Sequence, residues 1–331
     1  MSEFLADPSA LLPIAREPAN PPAVTDNVPR MVAECGPAGA YAWNEFFLGQ
    51  LRNPHTRATY KLAVMRFLGW LEAQAVALQQ VTAGHVGAYF NQHNGSPATK
   101  NVHLAALRSF FDVLTVRHVL VLNPAHSVRG EKHVDVEGKT PEITTEQART
   151  LLESIGTETT ADLRDAAVIA TLIYTAARVG AVAKLKLKHL IYDGSQYSLR
   201  FDEKNGKSRE IPVQHKLEKR LKEYLEAAGL SSVLERPLFR TVAGKTGKLT
   251  GHAMTSVDIC RMVKRRVRKA GLPEQLSPHS FRVLACTNLM TQGTLLEDVQ
   301  YLLGHSDVRT TRLYNRRQKK VTRDIVERIS V

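Results

Sequence analysis

The chain has 331 residues, room for two domains at roughly 100–200 residues each. Its 45 Lys and Arg outnumber 32 Asp and Glu, a formal charge of +13, and the excess is concentrated: residues 1–140 carry +1 and residues 141–331 carry +12. Hydrophobic residues at 43% exclude global disorder, the longest apolar stretch (Ala166 to Ala177) is too short for a bilayer span, and Cys35, Cys260 and Cys286 are too scattered for a disulfide framework or a paired metal motif. No secretory signal opens the chain, so a reducing, cytoplasmic compartment is expected. The charge asymmetry points to a polyanion, most often nucleic acid, with a surface of solvated lysines as the plainer alternative.

Residues 1–38 hold seven of the fifteen prolines and read as a flexible leader, with order expected near Tyr41 to Leu51. Tyr60, Val64, Phe67, Leu68 and Leu71 share one helical face. Val81-Thr82 to Phe90 reads as a short helix. Ser96-Pro97 supplies an N-cap and first-turn proline for another, whose stripe is Leu104, Leu107, Phe111 and Leu114. Thr99, Lys100 and Arg108 lie off that stripe and face either phosphates or solvent. Residues 127–141, polar and ending in proline, read as an interdomain linker.

Beyond the linker, Thr144-Thr145-Glu146 starts a helix, and Leu163 to Ala177 is the best candidate for a buried one. Then the period changes. Ile191 to Gly194 suggests a strand and turn, and Tyr197, Leu199 and Phe201 alternate with polar residues. Asn205-Gly206 is a hairpin signal, and Arg209 to Val213 reads as the returning strand, its Pro212 marking an edge or an end. Helices are expected from there on. The expected fold is mainly α: an all-helical N-terminal domain, then a mixed domain with one small antiparallel sheet.

Four segments carry chemistry-bearing residues. Arg178 ends the buried apolar helix, a costly place for a charge unless it is paired or binds an anion. Lys204 precedes the hairpin turn, where a lysine is either merely exposed or projected into a groove. His279 and Arg282 sit three apart at the start of a helix begun by Ser277-Pro278, near backbone N–H groups that favour an anion. Leu302-Leu303-Gly304-His305 ends another helix, with Thr294 to Glu297 fitting its capping box and Gly304 its C-cap. Tyr314 follows nine residues after His305, in a stretch with Arg316, Arg317, Lys319 and Lys320. It reads either as an amphipathic surface residue or as a nucleophile whose phenolate is favoured by positive charge.

Together, the order and spacing of these segments resemble the tyrosine recombinase (phage integrase) family. That family carries a box I arginine, a hairpin lysine, His-x-x-Arg, and Leu-Gly-His with a tyrosine nine residues on, which map to Arg178, Lys204, His279 and Arg282, His305, and Tyr314. The run Leu302-Leu-Gly-His-Ser-Asp-Val-Arg-Thr-Thr-Arg-Leu-Tyr314 is the most specific piece. Ala98 to Phe111 looks like part of the N-terminal core-binding module, and the resemblance covers about residues 40–318. One position departs: the acidic residue often found three after the box I arginine is Ala181, which leaves the support of Arg178 in doubt.

The resemblance implies a SAM-like core-binding domain over 39–126, a linker over 127–141 and a catalytic domain over 142–331. It implies a site-specific DNA recombinase in which Tyr314 forms a 3′-phosphotyrosyl intermediate, Arg178 and Arg282 hold the phosphate oxygens, Lys204 acts as general acid, and His279 and His305 position and assist. No metal, cofactor or ATP is expected. Expected DNA contacts are Lys100, Arg108, Lys207, Arg209, and Lys264, Arg265, Arg266 and Arg268 of the densest basic run, which otherwise forms a solvated face. The expected partners are double-stranded DNA carrying a recombination site, a homotetramer on two such sites and an accessory protein, with no membrane, in the cytoplasm of a bacterium at its nucleoid. The stripe Val321, Ile325, Val326 and Ile329 packs either in cis or on a neighbouring protomer. The prolonged leader favours a mobile element, for integration or co-integrate resolution. A catalytically inactive DNA-binding regulator on the same fold is the alternative, and a type IB topoisomerase-like enzyme is disfavoured by the core-binding module and the Leu-Gly-His box.

Overall fold

Proline sets where several helices begin. In the computed structural model, which describes residues 28–132, 140–202, 208–230, 233–244, 246–304 and Thr311, α1 (Arg30–Ala33) follows Pro29 and α2 (Gly36–Asn44) carries Pro37 in its first turn. Next, α3 (Pro54–Ala73) and α5 (Pro97–Val116) start on prolines. Nothing is lost at these positions, because first-turn N–H groups have no partner inside the helix. Side-chain caps reinforce them. Asn53 accepts from the His55 amide at 2.9 Å, Ser96 from the Thr99 amide at 3.3 Å, and Thr82 caps α4 (Ala83–Gln92).

The chain divides into two compact units between Val134 and Asp135. The first is helical and built on aromatic rings: Trp43, Phe46, Phe47, Phe67, Phe110 and Phe111 are all buried. Trp43 meets Phe110 edge-on at 5.8 Å, and Phe67 meets Phe111 the same way at 5.9 Å. Offset and edge-on ring pairs of this kind add about 0.5–1.5 kcal/mol beyond their buried area. The expected leader to residue 38 is corrected by this core. Met31 and Val32 are buried in it, so packing begins about ten residues before Tyr41. Pro29 and Pro37 of that stretch mark helix starts. The expected linker is also tied down at its first residues. Val128 packs on the aromatic core, and Asn101 exchanges two 2.9 Å hydrogen bonds with the backbone of Glu131.

The second unit is organised around α7 (Thr160–Thr175). Residues Ala166 to Leu172 are buried on every side, as an apolar helix without a polar face must be. It packs against α8 (Val179–Ala183), α9 (His215–Ala227), α10 (Ser256–Lys269) and α11 (Pro278–Thr291), while α6 (Thr145–Glu153) is capped by Thr144 and covers it in part. A three-stranded antiparallel sheet, order β1-β2-β3, lies beside α8: β1 (Leu190–Tyr192), β2 (Tyr197–Asp202) and β3 (Ser208–Pro212). Leu199 and Phe201 are buried on one face, and Pro212 ends the edge strand.

A second sheet departs from the expectation of helices after Val213. β4 (Arg240–Val242) pairs with β5 (Leu249–Ala253), Arg240 opposite Ala253. Strands this short offer too few residues for alternation to register. The last described helix, α12 (Leu296–Leu303), has Leu295 at its N-cap with no side-chain bond, so the expected Thr294 capping box is not formed. Gly304 does end it, in the left-handed region at φ 61°, where glycine carries no Cβ penalty. Among the described residues no helix is long and apolar enough to cross a membrane.

Candidate active site

Two helices end at the same place. α7 stops with Ala176 in the left-handed conformation, φ 48° and ψ 25°, a geometry that costs a β-carbon residue about 1 kcal/mol. α12 stops at Gly304. Both ends leave backbone carbonyls without helical partners, and both carry the negative pole of the helix dipole. Arginines answer that need. The Arg282 guanidinium, 1% exposed, donates to the carbonyls of Ala176 and Leu303, the latter at 2.8 Å. Arg178 donates from Nη1 to the Gly304 carbonyl at 3.1 Å. Among the described residues no carboxylate pairs with Arg178, so the structural salt bridge left open by the sequence is not formed there.

The position three after Arg178 contributes no charge. Ala181 lies in α8, half-buried against the main core, and its amide donates to the Arg178 carbonyl at 2.8 Å. The support for Arg178 is therefore backbone: its own carbonyl starts α8, and its side chain reaches the end of α12.

His279 opens α11, one turn before Arg282. The residue keeps exposed surface, yet neighbouring protein desolvates its ring. That desolvation, with Arg282 and then Arg178 pressing the same way, holds its pKa below the ordinary histidine value. Burial and the two guanidiniums thus favour the neutral imidazole. A small satellite core of Ala176, Cys286, Val299 and Leu303 fixes α11 against α12 under this cluster. Thr311 is buried against it, its carbonyl 3.9 Å from Cys286 Sγ. Burial lifts the Cys286 thiol to about 11, so it stays protonated and inert.

Three of the six expected catalytic residues, Arg178, His279 and Arg282, are therefore brought together. Lys204, His305 and Tyr314 lie outside the described residues, as do Lys207 and the 321–329 stripe. The strands on either side of Lys204 are described, and their last rung pairs Asp202 with Ser208.

The expected DNA contacts fare differently. Arg266 is 7% exposed and bonded to Asp165 at 2.8 Å and Asp162 at 2.5 Å, so it is a buried structural ion and not a phosphate contact. Helical period explains this: Arg266 falls on the stripe of Ile259, Met262, Val263 and Val267, which faces α7. Its neighbours are also engaged, Arg265 with Asp165 at 3.0 Å, Arg268 with Glu274 at 3.0 Å, and Lys264 with the Glu274 carbonyl, although these three stay on the surface. Arg209, 5% exposed, donates to the Tyr301 carbonyl at 3.3 Å and lies over the Phe201 ring, which removes it from the surface too. Arg108 donates to the carbonyls of Ala125 and Val128, tying the end of the first unit to α5. Lys100 is paired with Glu131 at 2.6 Å. What sequence reasoning missed is mostly backbone: the carbonyls of Ala176, Leu303 and Gly304 leave no side-chain signature.

The chain is similar to known proteins along most of its length. The phage integrase family matches residues 141–320, and its N-terminal SAM-like domain matches residues 44–118. The tyrosine recombinase XerC of Halalkalibacterium halodurans is 26% identical over 297 residues, covering 86% of this chain and 95% of its own. XerD of Listeria monocytogenes is 28% identical over 239 residues, covering 72% and 78%. Among solved structures, the XerH recombinase bound to a palindromic difH substrate superposes with a TM-score of 0.65 at 22% identity, over 80% of this chain and 76% of that one. A lambda integrase dimer bound to a COC′ core site gives 0.62 at 16% identity, over 85% and 96%. The integrase match spans more than half of the chain and contains every residue of the site just described, so the chain belongs to the phage integrase family, the tyrosine recombinases that act on DNA at specific sites.

Proposed function

We propose that this protein is an active site-specific recombinase that cuts and rejoins DNA strands through a 3′-phosphotyrosyl intermediate on Tyr314. The observation that supports this most is the convergence of Arg178, His279 and Arg282 at the ends of α7 and α12, with His305 the next residue after Gly304. Tyr314 Oη attacks the scissile phosphorus, a new P–O bond forms, and the bond to the 5′-oxygen breaks. Lys204 gives that oxygen its proton. A 5′-hydroxyl from a partner strand then attacks the phosphotyrosine and restores the phosphodiester, so the bond energy is held in the protein–DNA linkage. The guanidinium donors of Arg178 and Arg282 stabilise the charge that grows on the non-bridging oxygens. His279, its neutral form favoured by burial and its arginine neighbours, can take the tyrosine proton; His305 positions the phosphate beside it.

Four protomers on two double-stranded sites would perform the exchange, in a bacterial cytoplasm and for a mobile element. A nicked duplex that traps the intermediate tests the reading. The wild-type protein should form a denaturation-resistant adduct on its cognate site, and Tyr314→Phe should abolish the adduct while DNA binding persists. An adduct that survives Tyr314→Phe sinks this choice of nucleophile. A protein that binds the site but never forms an adduct is the inactive regulator instead.

A further inference from the structure

One hydroxyl buckles the turn that carries Arg178 and anchors Arg282. Thr175, the last residue of α7, has no exposed surface. Its Oγ1 donates to the Thr171 carbonyl at 2.6 Å and accepts the Ala177 amide at 3.2 Å. A hydroxyl has one proton to give and lone pairs to receive, so the two bonds do not compete. The backward bond is ordinary for a threonine in a helix. Thr171, one turn earlier, makes one to the Ala167 carbonyl at 2.8 Å, with no forward bond among the described residues. The forward bond of Thr175 is the distinctive one, because it crosses Ala176, which is buried and left-handed at φ 48°. An alanine resists that region, where its Cβ crowds the following carbonyl; a glycine would not. Both arginines depend on the turn. The Ala176 carbonyl accepts from Nη1 of Arg282. Two residues on, Arg178 is extended (φ −67°, ψ 142°), begins α8 and reaches the Gly304 carbonyl. Were Ala176 to relax into the right-handed region, α7 would run on and both attachments would be re-aimed.

We propose that Thr175 is a positioning residue for Arg178 and Arg282: its hydroxyl holds Ala176 left-handed, a task that a glycine at 176 would make dispensable. Strained backbone persists only where its surroundings over-determine it, and here the surroundings are one hydroxyl, one guanidinium and a buried pair of alanines. Two arginines that grip one phosphate must keep their spacing, and misplacement of such a group by about 1 Å costs on the order of a hundredfold in rate. The inference rests on the reading of Arg178 and Arg282 as the groups that hold the scissile phosphate.

Single-turnover cleavage of two nicked duplexes tests it, one with the natural scissile phosphate and one with a methylphosphonate in its place. The methyl group replaces a charged oxygen, so less charge is left for the guanidiniums to offset and a misplaced arginine matters less. Misfolding, weak binding or a misplaced nucleophile is not relieved in this way. Thr175→Val keeps the branching but loses both bonds. It should slow the natural duplex roughly ten- to a hundredfold and stay within about threefold of wild type on the methylphosphonate. Thr175→Ser should recover most of the lost rate, and so should Ala176→Gly added to Thr175→Val, since glycine takes the left-handed region without the buckle. Equal losses on both duplexes, or no recovery in the double variant, overturn the positioning role. If Thr175→Val does not fold, the double variant decides: folded and active it supports the role, and folded but slow, or unfolded, it overturns it. Arg178→Ala is the reference. If the methylphosphonate does not relieve it, the phosphate-holding reading fails and the inference falls with it; if it is relieved and Thr175→Val is not, the inference alone is wrong.

Discussion

Arg178 and Arg282 share a chemistry but not an environment, and the difference predicts how each will fail. Arg282 is buried and donates to two helix-end carbonyls, whereas Arg178 is exposed and, among the described residues, donates to one. Arg282→Ala should therefore lose cleavage by about a thousandfold and also stability, at about 1–3 kcal/mol for each orphaned carbonyl. Arg178→Ala should lose comparable activity with a urea midpoint close to wild type. Adduct formation and urea unfolding of the same preparations separate the two, and equal midpoints for both variants would contradict the structural half of the account. In the first unit, His103 is 4% exposed and its Nδ1 lies 3.1 Å from Nε2 of His93. Burial first, then His93 and Arg66, hold its pKa below 6.5. Above about pH 6.5 neither folded nor unfolded chain protonates this residue; as pH falls from there toward the depressed folded value, the unfolded chain takes a proton that the folded one refuses. Stability should drop across that window and level off below it. His103→Gln should flatten the drop in urea midpoints measured between pH 8 and pH 5, and an unchanged slope would remove His103 as its source.

At the scale of elements, the lesson lies in α10. Its run from Lys264 to Lys269 looks in sequence like a phosphate-binding stripe, yet the helix turns Arg266 inward to Asp165 and Asp162. Asp165 has no exposed surface and takes Arg164 at 2.6 Å as well as Arg265 and Arg266. Removing one member of such a set strands the rest in a low-dielectric interior, so Arg266→Ala should cost about 3–5 kcal/mol. The salt dependence of DNA binding by the folded variant should stay as in wild type, since no phosphate contact is removed; a shallower slope would return Arg266 to the interface. This misreading was avoidable, because Arg266 shares the period of Met262, Val263 and Val267. Others were not. In the first unit α3, α4 and α5 were legible because an apolar stripe, a cap or a first-turn proline marks each, whereas α1 and the start of α2 fell inside the expected leader. The sheet of β4 and β5 was not, since its strands are three and five residues long and pair across a register shift. Arg178, His279 and Arg282 were legible as residue types at fixed spacings, and they lie together in the structure. Their anchoring was not, because Ala176, Leu303 and Gly304 act through carbonyl oxygens that every residue possesses.

For the whole molecule, charge counts for less than it suggests. The second part of the chain carries +12 by composition, but Arg164, Arg265, Arg266 and Arg268 are paired with carboxylates and Arg209 and Arg282 with backbone, so much of that charge holds the fold together. In the near-neutral first part, likewise, Arg108 bonds the Ala125 carbonyl and Arg117 pairs with Glu45. The central claim is chemical, that one tyrosine takes a strand by its 3′-phosphate while cations from distant segments hold that phosphate. Mass spectrometry of the trapped adduct after protease and nuclease digestion tests it most directly. The account predicts a nucleotide linked through its 3′-phosphate to the peptide containing Tyr314, and a free 5′-hydroxyl on the released strand. A nucleotide on any other residue, or a linkage through a 5′-phosphate, would contradict it.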